Sequence, residues 1–510
     1  MTKRFPRWLL GLIAIGLLIL VGVVGAGLAL PWVVPPAFTA LSTAAEEVKH
    51  SGLHRVEIWD FTARRIQERS RELAVLETLN NGKPIKETRD FDIPMAAAWS
   101  FHYAGWADKL EYAGFGPNPR PIGVAGQVIP WNFPLMMLAW KIAPALACGN
   151  TVVLKPAQTT PLTALLFAEV CQQADLPNGV VNIVTGHGAT GAAVVAHKGV
   201  DKVAFTGSTA VGRQIAQTIA GSKKRLTLEL GGKGANIVFD DAPIDQAVEG
   251  IVNGIYFNQG HVCCAGSRLL VQENVHDEVV ARLQRRMQTL RVGDPLDKNT
   301  DVGAINSRMQ LDKITELANS GDAEGAMRWS VDCTLPDKGF WFRPTVFTNV
   351  TQANRIAREE IFGPVLSVLT FRTPAEAIEK ANNSQYGLSA GVWTEKGSRI
   401  LKLANELRAG VVWANSFNKF DPASPFGGYK ESGYGREGGR QEAGDREGAG
   451  RRPPRRGLLS MSPLPPLGHS PTLTLCHESH PHRRIIARLG WRRRRRDPRC
   501  QDFPCHARLP

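Results

Sequence analysis

Between residues 151 and 239, short runs rich in β-branched and apolar residues alternate with stretches of helical length. Residues 151–155, 180–185, 203–206, 225–230 and 235–239 read as strands; 161–174, 188–196 and 210–219 read as helices. This alternation narrows the fold sharply, because parallel neighbours in a sheet need a crossover between them and the crossover helices cover both faces. The predicted class is α/β, a doubly wound parallel sheet. A second α/β run follows Cys263 to about Asn415, with a helix over 275–290 and strands over 365–371 and 411–414. Upstream, Ile58, Phe61, Ile66, Leu73, Leu76 and Leu79 recur at helical spacing and predict one or two surface helices over 56–80; 94–112 reads as another. A strand over 123–129 runs into the stiff turn Pro130-Trp131-Asn132-Phe133-Pro134, then an apolar helix over 135–147.

The two ends differ from this body. Residues 8–30 carry no charge, and as a helix would span about 35 Å, enough for a hydrocarbon core of about 30 Å. Lys3, Arg4 and Arg7 precede the run, which predicts a membrane anchor with a cytoplasmic N-terminus. A signal peptide is the competing reading, with Gly27-Leu28-Ala29 as a poor cleavage site. An anchor in that orientation would set the body on the far side of the membrane, so either the helix lies differently from this rule or this end does not belong to the functional protein. From Gln441 onward there are 15 Arg, no Lys and 6 acidic residues, so +9 of the +14 formal charge belongs to the tail. The overall pI therefore says little about the body, and no nucleic-acid partner is expected. No apolar period persists there, which predicts disorder, and the abrupt change of composition also fits translation in a wrong frame. The tail's Cys and His residues match no zinc spacing, so no metal is expected. The five body cysteines form no disulfide framework and favour a reducing compartment.

Five features of the body could carry chemistry. Cys263 and Cys264 sit in a Gly-flanked polar turn where a nucleophile would be presented, although small buried thiols are the blander reading. Gly207-Ser208-Thr209-Ala210-Val211-Gly212 follows a strand and opens a helix, where backbone N–H groups can approach a phosphate; alone it is an ordinary strand–helix turn. Glu229, in an apolar strand, should hold its proton tightly, as a general base or as a salt-bridged structural residue. Asn132 offers a carboxamide N–H to a developing oxyanion, or simply closes a turn. Lys155 ends a strand, where it faces a ligand crevice or solvent. No Ser–His pair in a G-x-S-x-G elbow appears, and the body lacks H-E-x-x-H.

Together, residues 130–134, Leu228-Glu229-Leu230-Gly231-Gly232, Gly260-His261-Val262-Cys263, Glu359-Glu360-Ile361-Phe362-Gly363-Pro364 and Pro425-Phe426-Gly427-Gly428-Tyr429-Lys430 resemble the NAD(P)-dependent aldehyde dehydrogenase superfamily. The likeness covers about 53–440 with the motifs in family order, and 263–273 is similar to its family-sixteen branch. The resemblance implies an NAD(P)-binding domain over 53–230, its beginning incomplete, a catalytic domain over 231–415, and a return segment over 416–440. These lie between the apolar segment 1–34 and the tail 441–510. It implies that Cys263 attacks an aldehyde to give a thiohemiacetal and then a thioester, that Asn132 stabilises the oxyanion and that Glu229 activates the hydrolytic water. Lys155 would meet a cofactor ribose, Gly207 and Ser208 the pyrophosphate, and Glu360 the nicotinamide ribose, with Trp131 and Phe362 lining the cofactor site. Gln158 stands where many members carry a Glu that repels a 2′-phosphate, so NAD is expected and NADP remains admissible. His261 replaces the usual Gln beside the nucleophile. Members oligomerise through a C-terminal strand whose place the Arg-rich tail takes. The implied protein is an aldehyde dehydrogenase, membrane-associated through 8–30 and otherwise cytoplasmic. The alternative is a catalytically silent scaffold of the same fold with altered termini.

Overall fold

The computed structural model describes residues 52–113, 119–439, 457–461 and 473–477. The apolar run 8–30 lies outside them; among the described residues no helix is long and apolar enough to cross a membrane.

Two helices, Gly52–Glu68 and Ser70–Asn81, open the described chain. The second departs from the expected apolar stripe. Leu79 is 62% exposed, while Glu77 and Thr78 are fully buried. Gly82 ends the helix at φ 90°, donating its N–H to the Thr78 carbonyl, a left-handed stop for which glycine is suited. After helix Ile93–Ala104 come β1 (Val124–Val128), β2 (Thr151–Lys155), β3 (Val181–Ile183), β4 (Lys202–Thr206) and β5 (Arg225–Glu229). They form a parallel sheet in the order β3-β2-β1-β4-β5. Every residue of β2 is buried, as a central parallel strand covered on both faces requires.

The chain leaves β1 toward β2 and β3, then returns to the other side of β1 as β4. Strand order therefore reverses between β1 and β4, and ligands bind beyond the carboxyl ends at such a switch point. That crevice opens at two predicted motifs, the turn after β1 and Gly207-Ser208 after β4.

Leu230–Gly234 carries the chain from the carboxyl end of β5 into a second sheet. Its strands are β6 (Ala235–Val238), β7 (Arg268–Gln272), β8 (Met327–Ser330), β9 (Thr345–Thr348) and β10 (Val365–Phe371). After the two-residue strand β11 (Tyr386–Gly387), β12 (Ser389–Trp393) and β13 (Val411–Ala414) complete its parallel part, in the order β13-β12-β6-β7-β10-β9 with β8 antiparallel at one edge. The return segment then pairs β14 (Tyr429–Lys430) with β11 and lays β15 (Gly433–Tyr434) antiparallel on β5, joining Gly433 to Glu229. A residue near the C-terminal motif is thus built into the first sheet beside the candidate base.

The tail is not strandless. β16 (Gly457–Met461) and β17 (Leu473–His477) form a hairpin, and β17 runs antiparallel to β13. These ten residues depart from the expected disorder. The two segments are islands free of Arg and Pro, so their backbones can satisfy the open edge of β13.

Helix Pro134–Ala147 packs on β2 and on helix Ile93–Ala104 and is buried on nearly every side. A helix apolar all round belongs in a core rather than on a surface. Trp140 on it packs against Trp99 with ring centroids 4.3 Å apart and planes tilted by 34°.

Candidate active site

The turn after β1 places Asn132 by backbone constraint. Asn132 is 4% exposed, and its Nδ2 donates to the His261 carbonyl at 2.8 Å, which leaves the amide's second N–H for a ligand. Trp131 meets Phe362 edge-on, with centroids 5.3 Å apart.

The turn leading into Cys263 is strained. Asn258, Gln259 and Gly260 have φ of 49°, 53° and 74°, all left-handed. Such a conformation costs a non-glycine residue about 1–2 kcal/mol and persists where surrounding contacts fix it. Gly260 has a second reason to be glycine, since a Cβ there would lie 2.1 Å from the Gly363 carbonyl oxygen. Both cysteines border the cleft, but they differ in exposure: Cys264 is 1% exposed, with Sγ donating to Asn418 Oδ1 at 3.8 Å, whereas Cys263 is half-buried. Contact with the Cys264 thiol, then burial, then the charge of Glu360 hold the Cys263 thiol well above its usual range. Without a ligand, the site keeps Cys263 as a thiol.

Glu229 closes β5, and among the described residues neither of its carboxylate oxygens has a hydrogen-bond partner. Burial first, then the charge of Glu437, push its pKa well up; Arg436 and Lys141 pull it back. Glu437 itself forms a fully buried ion pair with Lys141. Replacing Glu437 with Gln should move the acid limb of the kcat–pH profile to lower pH. The variant removes a repelling anion and frees the Lys141 cation, and both changes favour ionised Glu229. Breaking a buried pair costs about 3–5 kcal/mol of stability, so the profile belongs at a temperature where the variant is shown to be folded. A limb that stays put or moves up would show that Glu229 does not feel Glu437.

Glu360 accepts the Gly232 N–H at 2.8 Å. The two glycines of Leu228–Gly232 are needed for close approach. A Cβ on Gly231 would fall 2.5 Å from Glu360 Oε2, and one on Gly232 would fall 2.2 Å from the Cys263 carbonyl oxygen. Ser208 caps helix Thr209–Ile219, its side chain accepting the Val211 N–H at 3.4 Å. A helix N-terminus at a switch point suits a phosphate.

One cleft is bordered by Asn132, Glu229 and Cys263 together with Trp131, Gly207, Ser208, Glu360 and Phe362. Lys155 and Gln158 do not border it. Lys155 is buried at the end of β2, its pKa lowered by that burial, and Gln158 lies exposed beyond it, both on the carboxyl side of the same sheet. Pattern reading missed Lys141, Glu437 and Gln310. Gln310 donates to the Ile361 and Phe362 carbonyls at 3.1 and 2.9 Å, and so holds the loop that carries Glu360. Glu437 sits in a Gly-rich stretch with no periodic signal, and only its pairing with a residue almost 300 positions away reveals it.

A parallel sheet opened at its switch point, with a capped helix suited to a phosphate and a cysteine bordering the crevice, is the architecture of a dinucleotide-binding α/β enzyme. The chain belongs to the aldehyde dehydrogenase family, whose profile matches residues 35–445. It is 49% identical over 376 residues to human retinal dehydrogenase 2, covering 72% of each chain. An aldehyde dehydrogenase of Alternaria alternata is 48% identical over 375 residues, covering 72% of this chain and 76% of that one. The solved NAD+ complex of a Bacillus cereus aldehyde dehydrogenase superposes with a TM-score of 0.77 at 42% identity, covering 80% of this chain and 85% of that one. The protein is an NAD(P)-dependent aldehyde dehydrogenase acting on an aldehyde substrate.

Proposed function

We propose that this chain oxidises an apolar aldehyde to its carboxylic acid through a thioester on Cys263. The observation that carries the reading is the convergence of Asn132, Glu229 and Cys263, from three distant stretches of sequence, on one cleft. Apolar specificity is supported by Phe133, Met136, Met137, Trp140, Phe420 and Phe426, which line the same cleft. The human relative's name, retinal dehydrogenase, fits that lining.

The Cys263 thiolate adds to the carbonyl carbon, and the former carbonyl oxygen becomes the oxyanion. The free Asn132 N–H stabilises it, a contribution of about 3 kcal/mol when one such donor is lost. Glu360, Ser208 and Lys155 would hold NAD, with Trp131 and Phe362 beside it; the bound nicotinamide supplies the hydride acceptor. Once the carbon has given up its hydride, the acyl group remains on Cys263 as a thioester. Glu229 takes a proton from water as the water oxygen attacks that carbon, the C–S bond breaks, and thiolate and carboxylic acid separate.

Mixing the protein with NAD+ and a long-chain aldehyde, quenching in acid and mapping peptides by mass spectrometry should find the acyl group on Cys263. An acyl adduct on another residue would overturn the assignment. A folded chain with no adduct and no NADH from any aldehyde would favour the silent scaffold.

Cofactor preference follows from Gln158. Gln158→Glu should raise the KM for NADP about tenfold, or about 1.4 kcal/mol, through repulsion of the 2′-phosphate, and leave the KM for NAD close to its starting value. Equal changes for both cofactors would remove Gln158 from the ribose site.

A further inference from the structure

Beneath the cleft lies a set of buried polar residues that the mechanism above does not use. Glu77, Asn81, Lys83, Glu87 and Asp92 all fall within sixteen residues of sequence, and none is more than 9% exposed. Lys83 pairs with Asp92 at 2.5 Å and lies 3.8 Å from the centroid of the Phe133 ring. The other three reach the two active-site turns. Asn81 Nδ2 donates to the Trp131 carbonyl at 2.5 Å, and Glu77 Oε1 accepts the Leu135 N–H at 2.9 Å. Glu87 Oε2 accepts the N–H of Asn258, the first left-handed residue of the nucleophile turn, at 2.9 Å. Asn258 is itself fully buried, and its Nδ2 donates to the carbonyls of both Asn132 (2.8 Å) and His261 (3.3 Å). One carboxamide therefore spans the oxyanion turn and the nucleophile turn, and one carboxyl group holds that carboxamide's residue from below.

We propose that Glu87 and Asn258 are positioning residues, which fix the separation of Asn132 from Cys263 by clamping a strained turn that its own backbone preferences would not hold. The inference rests on the roles assigned to Asn132 and Cys263 above. Residues held in sparsely populated conformations persist only when their surroundings over-determine them, and the Glu87 contact is the surrounding that meets Asn258 N–H. Burial also pushes Glu87 up to about 8, so that near pH 7 it is mostly the neutral acid and Gln is a close replacement for it.

The test compares Glu87→Ala, Glu87→Gln and Thr88→Val in the full chain. Thr88 is fully buried in the same segment, but its hydroxyl reaches Ala74, Thr78 and Ile85 rather than either turn. Each protein is assayed for melting temperature, kcat and KM for aldehyde and for NAD+, and the rate of Cys263 alkylation by iodoacetamide. Glu87→Ala should lose about 100-fold in kcat, the effect of about 1 Å of misplacement, with KM for NAD+ little changed. Glu87→Gln should restore most of that loss, and Thr88→Val should lower the melting temperature while keeping kcat per folded molecule. Equal kcat in folded Glu87→Ala and Thr88→Val, or no rescue by Gln, would overturn the proposal. If the unsubstituted protein oxidises no aldehyde, the functional reading fails, and the alkylation rate still decides the positioning claim: an unchanged rate in Glu87→Ala would refute it.

Discussion

Replacing Cys263 with serine is expected to abolish aldehyde-dependent NADH formation, with a fall in kcat on the order of 10⁴-fold or more, the scale seen when a covalent nucleophile is removed. A serine hydroxyl ionises far above a thiol, and the Glu229 carboxylate has no hydrogen-bond partner among the described residues through which it could draw off that proton. NAD+ binding should survive, because the groups proposed to hold it, Ser208 and Glu360, belong to other elements. Cys264→Ser is the matched control. Its side chain packs in the core against Asn418, so the change should cost some stability and leave turnover within a few-fold. The pair of variants separates chemistry from packing at adjacent positions. Residual activity in Cys263→Ser within tenfold of the unsubstituted protein, or a larger loss in Cys264→Ser, would assign the nucleophile wrongly. A companion measurement follows from electrostatics. Contact with Cys264, burial and Glu360 all hold Cys263 in the thiol form, so iodoacetamide should modify it slowly until a cationic nicotinamide ring is present.

The strand–helix alternation was legible because buried parallel strands are written as continuous apolar runs: 365–371 and 411–414 appear in the structure with the predicted limits. The turn carrying Asn132 and the Gly231-Gly232 pair were legible for a similar reason, since stiff or permissive residues mark places where backbone geometry is dictated locally. What could not be read depends on pairing across the chain. Glu77, Glu87 and Asp92 look like the solvated face of a helix, because a sequence pattern assigns carboxylates to the surface. Here they turn inward to meet backbone donors from 135 and 258 and the ammonium of Lys83, and Leu79 turns out in their place. The same limit hid Glu437, whose role depends on β15 returning to the edge of β5. It also hid the hairpin of β16 and β17, whose ten residues are diluted among the Arg and Pro around them.

Glu229→Gln is expected to divide the reaction in time. The first turnover should still yield NADH, because thiolate addition and oxidation do not call on Glu229 as base, while steady-state turnover should fall about 10²–10⁴-fold as the thioester accumulates. Rapid mixing reads this as a burst close to one NADH per site followed by a nearly flat line. A lost burst would place Glu229 earlier, at activation of the thiol. The same substitution should change stability in a direction fixed by the pKa shift. Folding raises the Glu229 pKa, through burial and the neighbouring Glu437, above that of the unfolded chain. As pH rises past the unfolded value, the unfolded chain releases its proton while the folded one keeps it, so folding loses stability until the folded pKa is passed. Gln carries no such penalty. Glu229→Gln should therefore melt above the unsubstituted protein in neutral and alkaline buffer, and the gap should close as pH falls through the ordinary carboxylate range. A carboxylate that stabilised the fold through an ion pair would give the opposite sign, so the melting curves alone distinguish a base held ready for water from a structural anion.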